Sequence, residues 1–89
     1  METRQLNQSA DFTGQRVLEI GCGDGRLTWR YAHSAGRVAG IDLDVDALRE
    51  AANDRPASLN EIVAFMRANS LHLPFPYATF DITILAWSF

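Results

Sequence analysis

Val17-Leu18-Glu19-Ile20-Gly21-Cys22-Gly23-Asp24-Gly25 is the stretch on which the reading of this chain turns. Apolar Val17, Leu18 and Ile20 around one carboxylate, Glu19, read as a short strand buried on both faces. Glycines then alternate at 21, 23 and 25, and a helix-like pattern begins at once with Arg26 and Leu27. A strand that passes through such a loop into a helix presents backbone N–H groups and a positive helix end to a ligand. Glycine suits the loop because a Cβ would block close approach and because such turns often need φ > 0. The loop therefore reads as one that binds a nucleotide-type ligand. A glycine-rich turn without a ligand is the plain alternative, disfavoured by three alternating glycines beside a strand-end acid.

Spacing narrows the ligand. A dinucleotide fingerprint would need its third glycine at position 26, which is Arg26. A phosphate-cradling loop ending in Gly-Lys-Ser/Thr is excluded, because the chain has no lysine.

The sequence after Gly25 predicts a first helix from 25 to 34, with Leu27, Thr28, Tyr31, Ala32 and Ala35 on its sheet-facing stripe and Gly36 stopping it. A second strand follows at Arg37 to Ile41. Asp44 then caps a helix carrying Val45, Leu48, Ala51 and Ala52 on one face, which ends ahead of Pro56. Residues 62–68 read as a third strand, 71–79 as a loop punctuated by Pro74 and Pro76, and 80–87 as a fourth strand. Residues 1–15 read as a polar leading segment or short helix with Leu6 and Phe12 as anchors, ahead of one α/β domain over 16–89.

Strands alternating with helices imply a Rossmann-like parallel sheet of about four strands, in the order 3-2-1-4, with flanking helices. Ligands in such sheets bind at the carboxyl ends of the strands beside the switch point, where the glycine loop opens. Asp42 lies 21 residues after Gly21, at the end of the second strand, where a carboxylate can accept from both ribose hydroxyls. Asp44 is the competing acid, better placed as a cap. Leu43 would then lie against a base.

The 89 residues carry a net charge of −3 without a basic run, which argues against a nucleic-acid surface. No apolar run approaches the length of a membrane span, and the polar start is not a secretory signal, so the expected compartment is cytoplasmic. The single Cys22 allows no internal disulfide and no multi-cysteine metal site. No activating base accompanies it, so it reads as a loop residue rather than a nucleophile. His33 and His72 read as exposed, and Asp81 as a turn or capping group. No catalytic residue and no metal ligand is named.

Glu19-x-Gly21-x-Gly23-x-Gly25 after an apolar strand resembles the first motif of class I S-adenosylmethionine-dependent methyltransferases. Ala68-Asn69-Ser70-Leu71-His72-Leu73-Pro74-Phe75, then Thr79-Phe80-Asp81 and an apolar strand, resembles the matching stretch of the small-molecule type found in ubiquinone and menaquinone biosynthesis. The resemblance spans Val17 to Trp87. It implies S-adenosylmethionine as cofactor, held by Glu19, Gly21, Cys22, Gly23 and Gly25 of the loop, by Asp42 and Leu43, and by Asn69 and Ser70 at the adenine. Members usually have aspartate where this chain has Asn69, so adenine would here be met by a neutral acceptor. Trp87 and Ser88 fall where the methyl acceptor approaches.

Enzymes of this kind continue past the fourth strand through further helices and three more strands. These 89 residues thus correspond to the cofactor-binding half, truncated relative to the full fold. The apolar fourth strand would then be an unblunted edge, expected to pair with a second copy or with a complementing chain. A non-catalytic adenosyl-binding or assembly module that needs a partner chain is the alternative function, and a nucleotide-linked oxidoreductase a weaker one.

Overall fold

Runs of β-branched and apolar residues pair side by side to build one parallel sheet, with the glycine loop leaving its middle strand. The computed structural model describes residues 2–4, 11–76 and 78–86. Its strands are β1 (Glu2–Arg4), β2 (Arg16–Ile20), β3 (Arg37–Asp42), β4 (Val63–Arg67) and β5 (Ile82–Leu85), in the order β1-β5-β2-β3-β4. The inner four reproduce the 3-2-1-4 order expected from the alternation of strands and connections, with β5 as the fourth strand of that reading. In β2, Val17 pairs with Val38 of β3 on one side and with Ile82 of β5 on the other.

Side chains alternate across the sheet as the pleat requires. Val17, Val38, Val63, Ile82 and Ile84 share one core with Phe12, Tyr31, Ala32, Ala35 and Leu59. The opposite face carries Leu18, Ile20, Ala39 and Ile41 under Phe80, with Phe75 set edge-on to Phe80 at 4.9 Å between ring centres. Helix α1 (Val45–Asp54) is capped by Asp44, whose side chain accepts from the Ala47 N–H at 3.1 Å, and it ends ahead of Pro56 as expected. It buries Leu48 and Ala51, whereas Val45 and Ala52 of the expected face are exposed.

Three expectations need correction. The connection from 25 to 34 is a series of turns around a three-residue 3-10 helix (Thr28–Arg30), not an α-helix. No side chain caps its start, and Thr28, Trp29 and Tyr31 are β-branched or aromatic, hence weak helix formers. Of the stripe read for it, Thr28, Tyr31, Ala32 and Ala35 are buried, and Leu27 is half-buried. Gly36 is not a left-handed stop. It is needed because a Cβ there would lie 2.7 Å from the Gly14 carbonyl oxygen.

The third correction concerns the edge. Glu2–Arg4 forms a strand, where a short helix was considered, and pairs in parallel with Ile82–Ile84. Thus β5 is an inner strand, and the open edge on which assembly through the fourth strand depended is covered. Among the described residues, Glu2–Arg4 is the strand at this side of the sheet. Among the described residues no helix is long and apolar enough to cross a membrane.

Arg16 and Asp81 tie the foot of β2 to that of β5. Arg16 donates through its backbone N–H, Nε and a terminal nitrogen to the Asp81 carboxylate at 2.9, 3.2 and 3.0 Å. These bonds hold the Asp81 carboxyl down at about 2, from an ordinary 3.8. A lowered acid contributes stability above its ordinary value and loses that contribution as pH falls through about 2. Asp81→Asn should therefore lower the thermal midpoint at pH 6 and have little effect near pH 2. An equal loss at both pH values would show that the carboxylate's charge is not what matters.

Candidate functional site

The site begins where β2 ends. Gly21, Gly23 and Gly25 all have positive φ, +80°, +56° and +86°, which explains the alternation read in the sequence. A Cβ on Gly25 would sit 2.8 Å from the Trp29 ring, so that glycine serves packing. A Cβ on Gly23 would meet nothing within 4 Å and would project into open space.

The loop's donors do not point outward as expected. The Gly21 and Cys22 N–H groups both donate to the Ile41 carbonyl, at 2.8 and 3.1 Å. The Gly23 N–H donates to Oδ2 of Asp42 at 2.9 Å. Further along, the Gly25 N–H donates to the Cys22 carbonyl, and the Arg26 N–H to Oδ1 of Asp24. The parallel register of β2 and β3 brings the end of β3 level with the loop and takes up these groups. With the donors turned inward and no α-helix behind them, the loop is not an anion cradle.

Two acids stand beside it. Asp42, the last residue of β3, is half-buried, and its Oδ1 accepts from the Asp44 N–H at 2.9 Å. Glu19 is wholly buried in β2. Its Oε1 accepts from the hydroxyls of Thr28, at 2.9 Å, and of Tyr31, while Oε2 is buried with no partner among the described residues. Burial raises the Glu19 carboxyl above its ordinary value, against the pull of the two hydroxyls. Glu19 lines neither of the two recesses that flank Gly21, and burial disfavours its charged form. Burial, with Glu19 and Asp42 nearby, pushes the Cys22 thiol up to about 12, so this buried cysteine is no nucleophile.

Two recesses flank the Gly21 backbone, which lines both. The smaller, of about 160 Å³, is lined by Ile41, Asp42, Leu43, Ala68 and Ser70. Leu43 is 57% exposed there, an uncovered apolar wall. The larger, of about 390 Å³, is lined by Cys22, Asp24, Arg26, Leu27, Arg30 and Ala86. Of this lining only Gly21 and Cys22 were expected at the site; Asp24, Arg26 and Leu27 were not, nor were Arg30, within the expected helix, and Ala86, within the expected fourth strand.

Asn69 is not brought into the smaller recess. Its side chain is exposed, and Oδ1 accepts from the Leu71 N–H at 2.9 Å, shaping the loop that carries Ser70. Trp87 and Ser88 lie outside the described residues. Among those described, no group of histidine, cysteine or acidic side chains is arranged to hold a metal.

Residues 17–89 match the family described as methyltransferase domain. The demethylmenaquinone methyltransferase of Lactococcus lactis is 25% identical over 94% of this chain and 34% of its own length. For the 27-O-demethylrifamycin SV methyltransferase of Amycolatopsis mediterranei the identity is 39%, over 78% and 26%. The ubiquinone/menaquinone biosynthesis C-methyltransferase of Cellvibrio japonicus is 35% identical over 92% and 34%. This chain thus spans about a third of the length of these relatives. Among solved structures, an S-adenosylmethionine-dependent methyltransferase from Mesorhizobium loti superposes with a TM-score of 0.70 at 29% identity, over 83% of this chain and 33% of that one. The [4+2]-cyclase SpnF superposes with a TM-score of 0.72 at 30% identity, over 80% and 27%.

Proposed function

Because the chain belongs to the methyltransferase domain family, we propose that it forms the S-adenosylmethionine-binding part of an enzyme that methylates a small-molecule acceptor. The observation that carries this reading is the inward turn of the loop's N–H groups beside two acids. A dinucleotide brings phosphates and needs outward donors. S-adenosylmethionine carries a sulfonium, an ammonium and a carboxylate, no phosphate and a net positive charge, and the orphaned Oε2 of buried Glu19 suits a cationic group.

In this reading the ligand bends over Gly21 from one recess to the other. Asp42 accepts from the ribose hydroxyls, Leu43 covers the base, and the backbone about Ser70 meets its edge. Asn69 contributes by holding that backbone. Gly23 leaves room for the ligand, and Glu19 balances its charge from below. S-adenosylmethionine supplies a methyl group already activated on sulfur. The protein's work is then to position the acceptor and exclude water, which asks for no general base. Demethylmenaquinone and demethylrifamycin methyltransferases among the relatives support a small organic acceptor. A cytoplasmic setting belongs to the same proposal, since the one cysteine is free and needs no oxidising compartment.

Calorimetric titration with S-adenosylmethionine, S-adenosylhomocysteine and NAD tests the reading. The first two should bind and NAD should not; tight NAD binding with no response to the adenosyl ligands would overturn it. A second reading, adenosyl binding without methyl transfer, is favoured by the likeness to a protein named as a cyclase. Because this chain spans about a third of its relatives' length, absence of transfer by it alone fits both readings. Binding of S-adenosylmethionine with no transfer to any quinol, phenol or polyketide hydroxyl acceptor once the chain is fused to the remaining portion of such a relative would select the second.

A further inference from the structure

We propose that Asp42 also builds the glycine loop before any ligand arrives, acting as a positioning residue for Gly23 besides accepting from the ribose. The ribose half rests on the function proposed above; the positioning half rests on geometry alone.

The loop has three anchors on β3, and they differ in kind. Gly21 and Cys22 are held by the Ile41 carbonyl, a main-chain group that any residue at 41 would supply. Gly23 is held by a side chain, through its N–H to Oδ2 of Asp42 at 2.9 Å. This third anchor secures a residue beside open space: at φ +56°, nothing lies within 4 Å of where its Cβ would be. The carboxylate is itself held in place, because Oδ1 accepts from the Asp44 N–H at 2.9 Å. Asp44 in turn caps α1 through the Ala47 N–H at 3.1 Å. The start of α1 therefore sets the direction of Asp42, and Asp42 sets the position of Gly23.

The two tasks are compatible. An ionised carboxylate offers about four acceptor sites, and the loop and the turn use two of them. Ribose hydroxyls can add to these bonds without displacing either. A loop already formed loses less conformational freedom when the ligand arrives, so part of the affinity lost with Asp42 would come from the loop.

Amide hydrogen exchange at Gly23, followed by NMR, separates this from a ribose-only role. In Asp42→Ala the Gly23 N–H should exchange about tenfold faster, or more, while the amides of Val17 and Val38 stay protected. Asp42→Glu keeps the charge but moves the carboxylate by one methylene, so it should also speed exchange at Gly23, and it serves if the alanine variant does not fold. A 2′,3′-dideoxy analogue of S-adenosylhomocysteine has no hydroxyl for Asp42 to accept from. It should nonetheless bind Asp42→Ala about five- to tenfold more weakly than the native protein. Native-like exchange at Gly23 in these variants, with the core amides intact, would overturn the positioning role. Failure of the ribose assignment looks different: the native protein would bind S-adenosylhomocysteine and its dideoxy analogue equally, while Gly23 exchange still accelerated in the variants.

Discussion

A Gly23→Val variant should keep its sheet and lose S-adenosylmethionine affinity by about a hundredfold or more, equivalent to about 2.7 kcal/mol. The expectation comes from where a side chain at this position would go. Its Cβ meets nothing in the protein itself, so bulk there costs the fold only the strain of a β-branched residue at φ +56°, about 1–2 kcal/mol. In the function proposed above, the space it would fill is where the ligand passes beside Asp42. Gly25→Val is the contrast, because its Cβ falls 2.8 Å from the Trp29 ring and 3.3 Å from the Cβ of Ala51. That variant should lose stability as well as binding. Circular dichroism and calorimetry on the two together separate the effects. Unchanged affinity in a folded Gly23→Val protein would mean that the ligand does not pass over this residue.

Glu19 should divide in the same way between fold and ligand. In Glu19→Ala the hydroxyls of Thr28 and Tyr31, both buried, lose their acceptor. Each orphaned donor costs about 1–3 kcal/mol, and the cavity adds to this. Relief of a buried charge offsets part of the loss, leaving a net destabilisation of about 2 kcal/mol or more. Glu19→Gln keeps an acceptor oxygen for the two hydroxyls and removes the charge. Since burial raises the Glu19 carboxyl in the folded protein, native stability falls as pH rises above the ordinary value of 4.5 and through the raised one. The glutamine variant lacks that slope, so it should gain relative to the native protein between pH 4 and pH 8 in denaturant titrations. In the function proposed above, it should also bind S-adenosylmethionine about tenfold more weakly, through loss of a carboxylate that offsets the sulfonium charge. Parallel stability–pH curves for the two proteins would contradict a buried, ionisable Glu19.

Several features were legible because they are local. The apolar run before Gly21 had to be a strand, alternating glycines had to mark positive φ, and Asp44 ahead of a helical pattern had to be a cap. The alternation of strands with connections then determined the parallel order of the inner four strands, because right-handed crossovers leave few arrangements. Even in the segment after Gly25 the buried stripe was right but for half-buried Leu27, although the helix was not. Thr28, Tyr31, Ala32 and Ala35 are the residues that seek the core, whatever backbone delivers them there.

Tertiary structure decided the rest, and in each case through partners distant in sequence. The loop's N–H groups turn inward because the register of β2 and β3 brings Ile41 and Asp42 level with them, a fact of pairing that no stretch of nine residues contains. Glu19 is a buried acid because the segment from 25 to 35 folds Thr28 and Tyr31 down onto it. Asn69 turns to the Leu71 N–H because a neutral amide in an exposed loop takes the nearest donor. Glu2–Arg4 lies against β5 because the backbone groups of that strand's edge want partners, and polar side chains do not announce such pairing. Hydrophobic pattern and turn chemistry determined which elements form. Which polar groups those elements leave for a ligand followed only from how they pair.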